Sequence, residues 1–99
     1  MYYKTYESRY GLMVAVADKE LIGKKFKFRN TDFFVNPRFY KGRSASEKEI
    51  IVLLKSAVSM NLVGAKSVAC GKSSGAISDE NILMISKKVP HAQAIVMQI

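Results

Sequence analysis

The stretch Ser46-Glu47-Lys48-Glu49-Ile50-Ile51-Val52-Leu53-Leu54-Lys55-Ser56-Ala57-Val58-Ser59-Met60-Asn61-Leu62-Val63-Gly64 decides the fold. Ser46 followed three residues later by Glu49 has the spacing of a capping box, in which hydroxyl and carboxylate each satisfy the other's backbone N–H. Glu47 and Glu49 also suit the positive end of a helix dipole. Further on, Ile50, Leu53, Leu54, Ala57, Val58 and Asn61/Leu62 recur at i, i+3, i+4 and i+7, one face of a 3.6-residue helix. Ile51 and Val52 widen that stripe. The spacing predicts one long, buried helix running into Asn61-Leu62-Val63-Gly64, with Gly64 as its breaker.

Upstream, the chain reads as short strands. Tyr2–Glu7 is aromatic and β-branched, Ser8-Arg9-Tyr10-Gly11 is a turn, and Leu12–Ala17 is an apolar run of strand length. Their short separation predicts a hairpin whose second strand is central and covered on both sides. Asp18 is placed to cap a short helical turn, Lys19–Ile22, that stops at Gly23. Lys25-Phe26-Lys27-Phe28-Arg29 alternates strictly, so the two phenylalanines face one way and Lys25, Lys27 and Arg29 the other. Asn30-Thr31-Asp32 is a turn, Phe33–Val35 a strand ended by Asn36-Pro37, and Phe39–Arg43 a loop with two large aromatics.

Downstream, Ala65–Gly71 predicts a shorter helix and Ile82–Ile85 a strand. Lys87–Pro90 is a break and Ala94–Met97 a closing strand. Strands, helices and strands again, without βαβ alternation, predict an α+β single domain spanning residues 1–99. One long and one short helix lie on one face of a largely antiparallel sheet.

Composition narrows the function classes. The 99 residues are 48% hydrophobic, enough for one core, but the longest apolar run, Leu12–Ala17, is far below the ~20 residues of a membrane span. No signal peptide is evident, and a cytoplasmic protein is expected. One cysteine, Cys70, and one histidine, His91, give neither an intrachain disulfide nor a zinc set, so no metal or cofactor is expected.

Net charge is +8 with a pI near 9.8. It is concentrated early, with ten Lys/Arg against four acids in residues 1–43 and six against four thereafter. Lys25, Lys27 and Arg29, with Arg38, Lys41 and Arg43 close behind, form a candidate surface for phosphates, and neighbouring aromatics are available to stack on bases. The competing explanation is an ordinary solvated strand face, since edge lysines also discourage aggregation.

Gly71-Lys72-Ser73 imitates the end of a phosphate-binding loop, but position 66, where that motif requires glycine, is Lys66. His91, after Pro90 and beside Gln93, has no carboxylate motif to make it a catalytic base, so a structural hydrogen bond is the simpler expectation. The Val89–Pro90 bond is open between cis and trans. Cys70 on a small-residue helix reads as a packed thiol.

Several blocks together resemble the archaeal domain of unknown function 424 family. They are Val16-Ala17-Asp18-Lys19-Glu20-Leu21-Ile22-Gly23-Lys24, Asn36-Pro37-Arg38-Phe39-Tyr40-Lys41-Gly42, Asn61-Leu62-Val63-Gly64 and Val89-Pro90-His91-Ala92-Gln93. The resemblance implies a two-layer α+β sandwich and no established activity. Its motif positions are Phe39, Tyr40, Gly42, Asn61, Gly64, Pro90, His91 and Gln93. Where members carry an acid after the third block and a cysteine before the first block's aspartate, this chain has Ala65 and Ala17.

Three functional expectations follow. The first is a non-enzymatic RNA- or ribosome-associated protein using the basic strand face. The second is a small-ligand binder or enzyme with a polar site at Asn61, His91 and Gln93, with Phe39 and Tyr40 nearby. The third is a protein-assembly partner, or a homo-oligomer, engaged through Phe39 and Tyr40.

Overall fold

A computed structural model describes residues 1–96. Tyr2–Ser8 (β1) and Gly11–Ala17 (β2) form the expected antiparallel hairpin, Tyr2 opposite Ala17 and Ser8 opposite Gly11. A 3-10 turn over Lys19–Leu21 leads to a second, separate hairpin, Lys25–Phe28 (β3) and Thr31–Phe34 (β4). Pro37–Tyr40 (α1) and Arg43–Ser44 (β5) precede the decisive stretch. Glu47–Ser56 (α2), Ser59–Val63 (β6), Ala65–Ser73 (α3), a 3-10 turn over Asp79–Asn81, Ile82–Ser86 (β7) and Val89–Ile95 (β8) complete the order.

The predicted long helix is two elements. Its first half forms as read: Ser46 Oγ accepts from Glu49 N, and Glu49 Oε1 accepts from Ser46 N. The helix ends at Ser56, however, and Ala57 is already extended at φ −78°, ψ 146°. Asn61 and its neighbours are therefore strand residues, not a helix end. Met60 and Leu62 face the helices while Asn61 and Val63 face the other way, a period of two that the helical stripe concealed. Ladder hydrogen bonds on both sides of β6 outweigh the local helical preference. Helices α2 and α3 are thus nearly equal, at ten and nine residues.

The main sheet runs β5-β1-β2-β6-β8-β7 and is antiparallel except where β2 meets β6. That parallel contact corrects the expectation of a fold without crossover connections, because the chain passes through the second hairpin and two helices before returning beside β2. The fold class stands: α+β, a mostly antiparallel sheet with α2 and α3 on one face. Their core comprises Val14, Val16, Ile50, Leu54, Met60, Leu62, Val68 and Ala92.

The opposite face is not bare. Ala15, Ala17 and Val63 pack there with Leu21, Val35 and Tyr40 from the 3-10 turn, the end of the second hairpin and α1. The Phe39–Arg43 segment read as a loop contains the end of α1, with Pro37 as its first residue and Asn36 as its N-cap. Burial of four consecutive residues, Val14–Ala17, matches the central position of β2.

Strand β8 begins at Val89, through the predicted break. Pro90 lies inside it opposite Met84, next to an irregularity between Met84 and Ser86 that accommodates the missing N–H. The Val89–Pro90 bond is trans. The closing strand is described to Ile95, and the predicted extension to Met97 lies outside the described residues.

Candidate functional site

Strand pairing brings the two polar sequence blocks together. In the β6–β8 ladder Asn61 stands opposite Gln93 and Val63 opposite His91, so Asn61, His91 and Gln93 share the face away from α2 and α3. The His91 Nε2 lies 2.9 Å from Asn61 Oδ1. Tyr40, 3% exposed, donates its hydroxyl to the same oxygen at 2.5 Å. Since Oδ1 only accepts, His91 carries its proton on Nε2 and donates. Phe33 of the second hairpin meets the imidazole edge-on at 4.7 Å. Burial holds the His91 imidazole below its ordinary value and pushes the Tyr40 phenol up, so both are neutral donors near pH 7.

The resulting triad is an orienting device rather than an acid–base pair. Its centre is an uncharged carboxamide, and His91 leans on that amide, not on a carboxylate. Asn61 and Gln93 line an open depression of about 570 Å³, shared with Phe39, Ser59, Asn81 and Ile95. His91 stands behind Asn61. Phe39 stacks on Tyr6 with ring centroids 5.4 Å apart, and Tyr6 Oη donates to Phe39 O at 2.9 Å, fixing that wall. Tyr40 is buried and its hydroxyl is bonded to Asn61, whereas Phe39 is only partly buried.

The six basic candidates are not one strand face. Lys25 and Lys27 are exposed on the outer side of the β3–β4 hairpin, which is no part of the main sheet. Arg29 has left the strand: at φ 56° it forms the tight turn, with its guanidinium 5.0 Å from the Phe28 ring centroid. Arg38 and Lys41 are exposed on and just after α1, and Arg43 is exposed on β5. Helix α1 packs on β1 and β2, whereas β3 packs on β7. The basic residues therefore occupy two regions, towards opposite edges of the main sheet.

One conspicuous polar residue was assigned a different role in the sequence. Asp18, 3% exposed, does not cap the turn beside it. Its Oδ2 accepts from Lys66 N at 3.1 Å, and its Oδ1 accepts from Ser67 N at 2.8 Å and Ser67 Oγ at 2.7 Å. It caps α3 from the end of β2. Gly64 makes this approach feasible: its φ is 109°, and a Cβ there would collide with the Asp18 carboxyl. Within the first block, Asp18 is thus architectural. Its only sequence signal was an acid directly after a buried strand, at the boundary where the chain must turn.

Among the described residues no group of three His, Cys, Asp or Glu is placed to hold a metal ion. No described helix is long and apolar enough to cross a membrane.

The fold is shared with an uncharacterized conserved protein from Methanopyrus kandleri. The two structures match with a TM-score of 0.81 at 17% sequence identity, over 99% of this chain and 94% of that one. No curated protein sequence matches the chain. The family model described as protein of unknown function (DUF424) matches residues 6–97, and with nearly the whole chain inside that match, the protein belongs to this family.

Proposed function

We propose that the protein is a non-enzymatic binding protein for single-stranded RNA. The RNA crosses the sheet face that carries Asn61 and Gln93, between the basic hairpin and the basic α1–β5 region. The supporting observation is the state of the charge. Lys and Arg outnumber Asp and Glu 16 to 8, and among the described residues a single ion pair, Lys72–Asp79, joins a lysine to a carboxylate. Most of the basic side chains thus have no carboxylate partner among the described residues, although Lys4, Lys25, Arg29 and Lys41 lie over aromatic rings, and a polyanion is the partner that such a surface favours. The amide-lined depression beside Phe39 adds groups suited to bases rather than to acid–base chemistry.

Two basic regions make separable contributions. Binding of a labelled single-stranded RNA should weaken linearly in a plot of log affinity against log salt. The double substitution Lys25→Glu with Lys27→Glu should reduce that slope by about 1.4, at about 0.7 per phosphate contact on a single strand. Arg38→Glu with Lys41→Glu should do the same on the other side. In lysate, the protein should co-migrate with ribosomal particles in a nuclease-sensitive way. Absence of RNA binding at low salt would sink the proposal.

A further inference from the structure

Both acceptor positions of the Asn61 carboxamide oxygen are filled, by Tyr40 Oη and His91 Nε2. The Tyr40 contact has Oδ1 as the inward end of the amide, at a distance that suits an O–H···O bond. The amide nitrogen, with two N–H donors, is therefore turned away from the triad. Among the described residues Asn61 Nδ2 has no hydrogen-bond partner and is not a buried unsatisfied atom, so solvent reaches it, and Asn61 lines the depression. Gln93, exposed and directly opposite Asn61 in the ladder, sets a second amide beside it. Cross-strand neighbours of this kind hold their Cβ atoms ~4.5–5.5 Å apart, close enough for both amides to meet one planar ring.

We infer that this depression is a nucleobase subsite that reads an imide edge, a ring carbonyl next to a ring N–H, as found in uracil and guanine. Asn61 Nδ2 donates to the carbonyl, Gln93 Oε1 accepts from the ring N–H, and Phe39 supplies an aromatic wall. The inference rests on the RNA-binding proposal and adds base selectivity to it. With Gln93 Oε1 as the acceptor, cytosine lacks the ring N–H that this arrangement needs, and it fits only if the Gln93 amide turns over to donate to the bare ring nitrogen.

The test compares uridine and cytidine homo-oligomers of equal length, which carry equal charge, by fluorescence anisotropy. The wild-type protein should bind the uridine oligomer about ten-fold more tightly, within the range for one bidentate amide–base pair. Asn61→Asp keeps an oxygen for Tyr40 and His91 but presents an acceptor to the base. It should bring the uridine-to-cytidine ratio to unity or invert it, and a ratio is insensitive to uniform weakening by the added charge. Gln93→Ala, on an exposed side chain outside the triad, should reduce the ratio without disturbing the fold.

Salt-dependent binding with equal affinity for the two oligomers would overturn the subsite and leave the RNA-binding proposal standing. An unchanged ratio in Asn61→Asp would likewise overturn it. If neither oligomer binds, the RNA-binding proposal fails, and titration with uridine and cytidine nucleosides decides the subsite. A shift of the Asn61 side-chain amide resonances with uridine alone supports it, and no shift with either overturns it.

Discussion

Asp18 and Ser67 are 49 residues apart and joined by two hydrogen bonds, from the Ser67 backbone N–H at 2.8 Å and from its hydroxyl at 2.7 Å. One carboxylate thereby ties the end of β2 to the start of α3 and satisfies two N–H groups that no residue local to α3 caps. Asp18→Ala should cost about 2–3 kcal/mol, since a charge-assisted cap is lost and buried donors at Ser67 are stranded. Asp18→Asn, which retains an acceptor, should cost roughly half as much by the same argument. Urea unfolding midpoints of the three proteins check the order.

Gly64 is the counterpart of that cap. A side chain at this position meets both a left-handed backbone, φ 109°, and the Asp18 carboxyl. Gly64→Ala should therefore destabilise by more than about 3 kcal/mol, above the cost of the backbone conformation alone. The two substitutions should not add. Once Asp18→Ala has removed the carboxyl, the collision is gone and only backbone strain is left, so the double variant should be more stable than the sum predicts. Strict additivity would show that the contact is relieved in some other way.

The same region shows what sequence could and could not disclose. The capping box Ser46–Glu49, the Phe26/Phe28 alternation and the buried run Val14–Ala17 are local patterns, and each forms as its residues dictate. The Ala57–Val63 segment is ambiguous in the sequence because its apolar residues fit two periods. Val58 and Leu62 continue a helical stripe, but Val58, Met60 and Leu62 also alternate. No glycine or proline marks the end of α2, where Ala57 simply turns extended. What resolves the ambiguity is pairing with β2, 46 residues earlier, and with β8 on the other side. The meeting of Asn61 with His91 was legible as a question posed by two polar blocks. Tyr40 as the third member was hidden, since only the packing of α1 on the sheet delivers its hydroxyl there.

Burial of His91 has a thermodynamic consequence. Its folded-state pKa lies below the ordinary 6.5, so between the two values the unfolded chain binds more protons than the native one. The contribution is fully present above the unfolded pKa and is lost as pH falls through the window below 6.5. Chemical denaturation should therefore show stability declining as the pH falls below the ordinary histidine value of 6.5. His91→Gln, which keeps a donor for Asn61, should flatten that decline. An equally steep decline in the variant would assign it to other groups.

Cys70 gives an independent reading of how tightly α3 is seated. The thiol is 3% exposed, and its Sγ lies 3.9 Å from Glu47 O at the start of α2. Burial, and secondarily the carboxylates of Glu47 and Asp18, push its pKa up. Both effects suppress the thiolate, which is the reactive form. In the folded protein at mildly alkaline pH, a disulfide reagent should modify Cys70 far more slowly than a free thiol, and denaturant should restore the full rate. Asp18→Ala removes an anion near the thiol and also loosens the cap of α3, so it should accelerate labelling under native conditions. Labelling as slow as in the wild-type protein would mean that α3 holds its place without Asp18, and the cap would then be redundant for seating the helix.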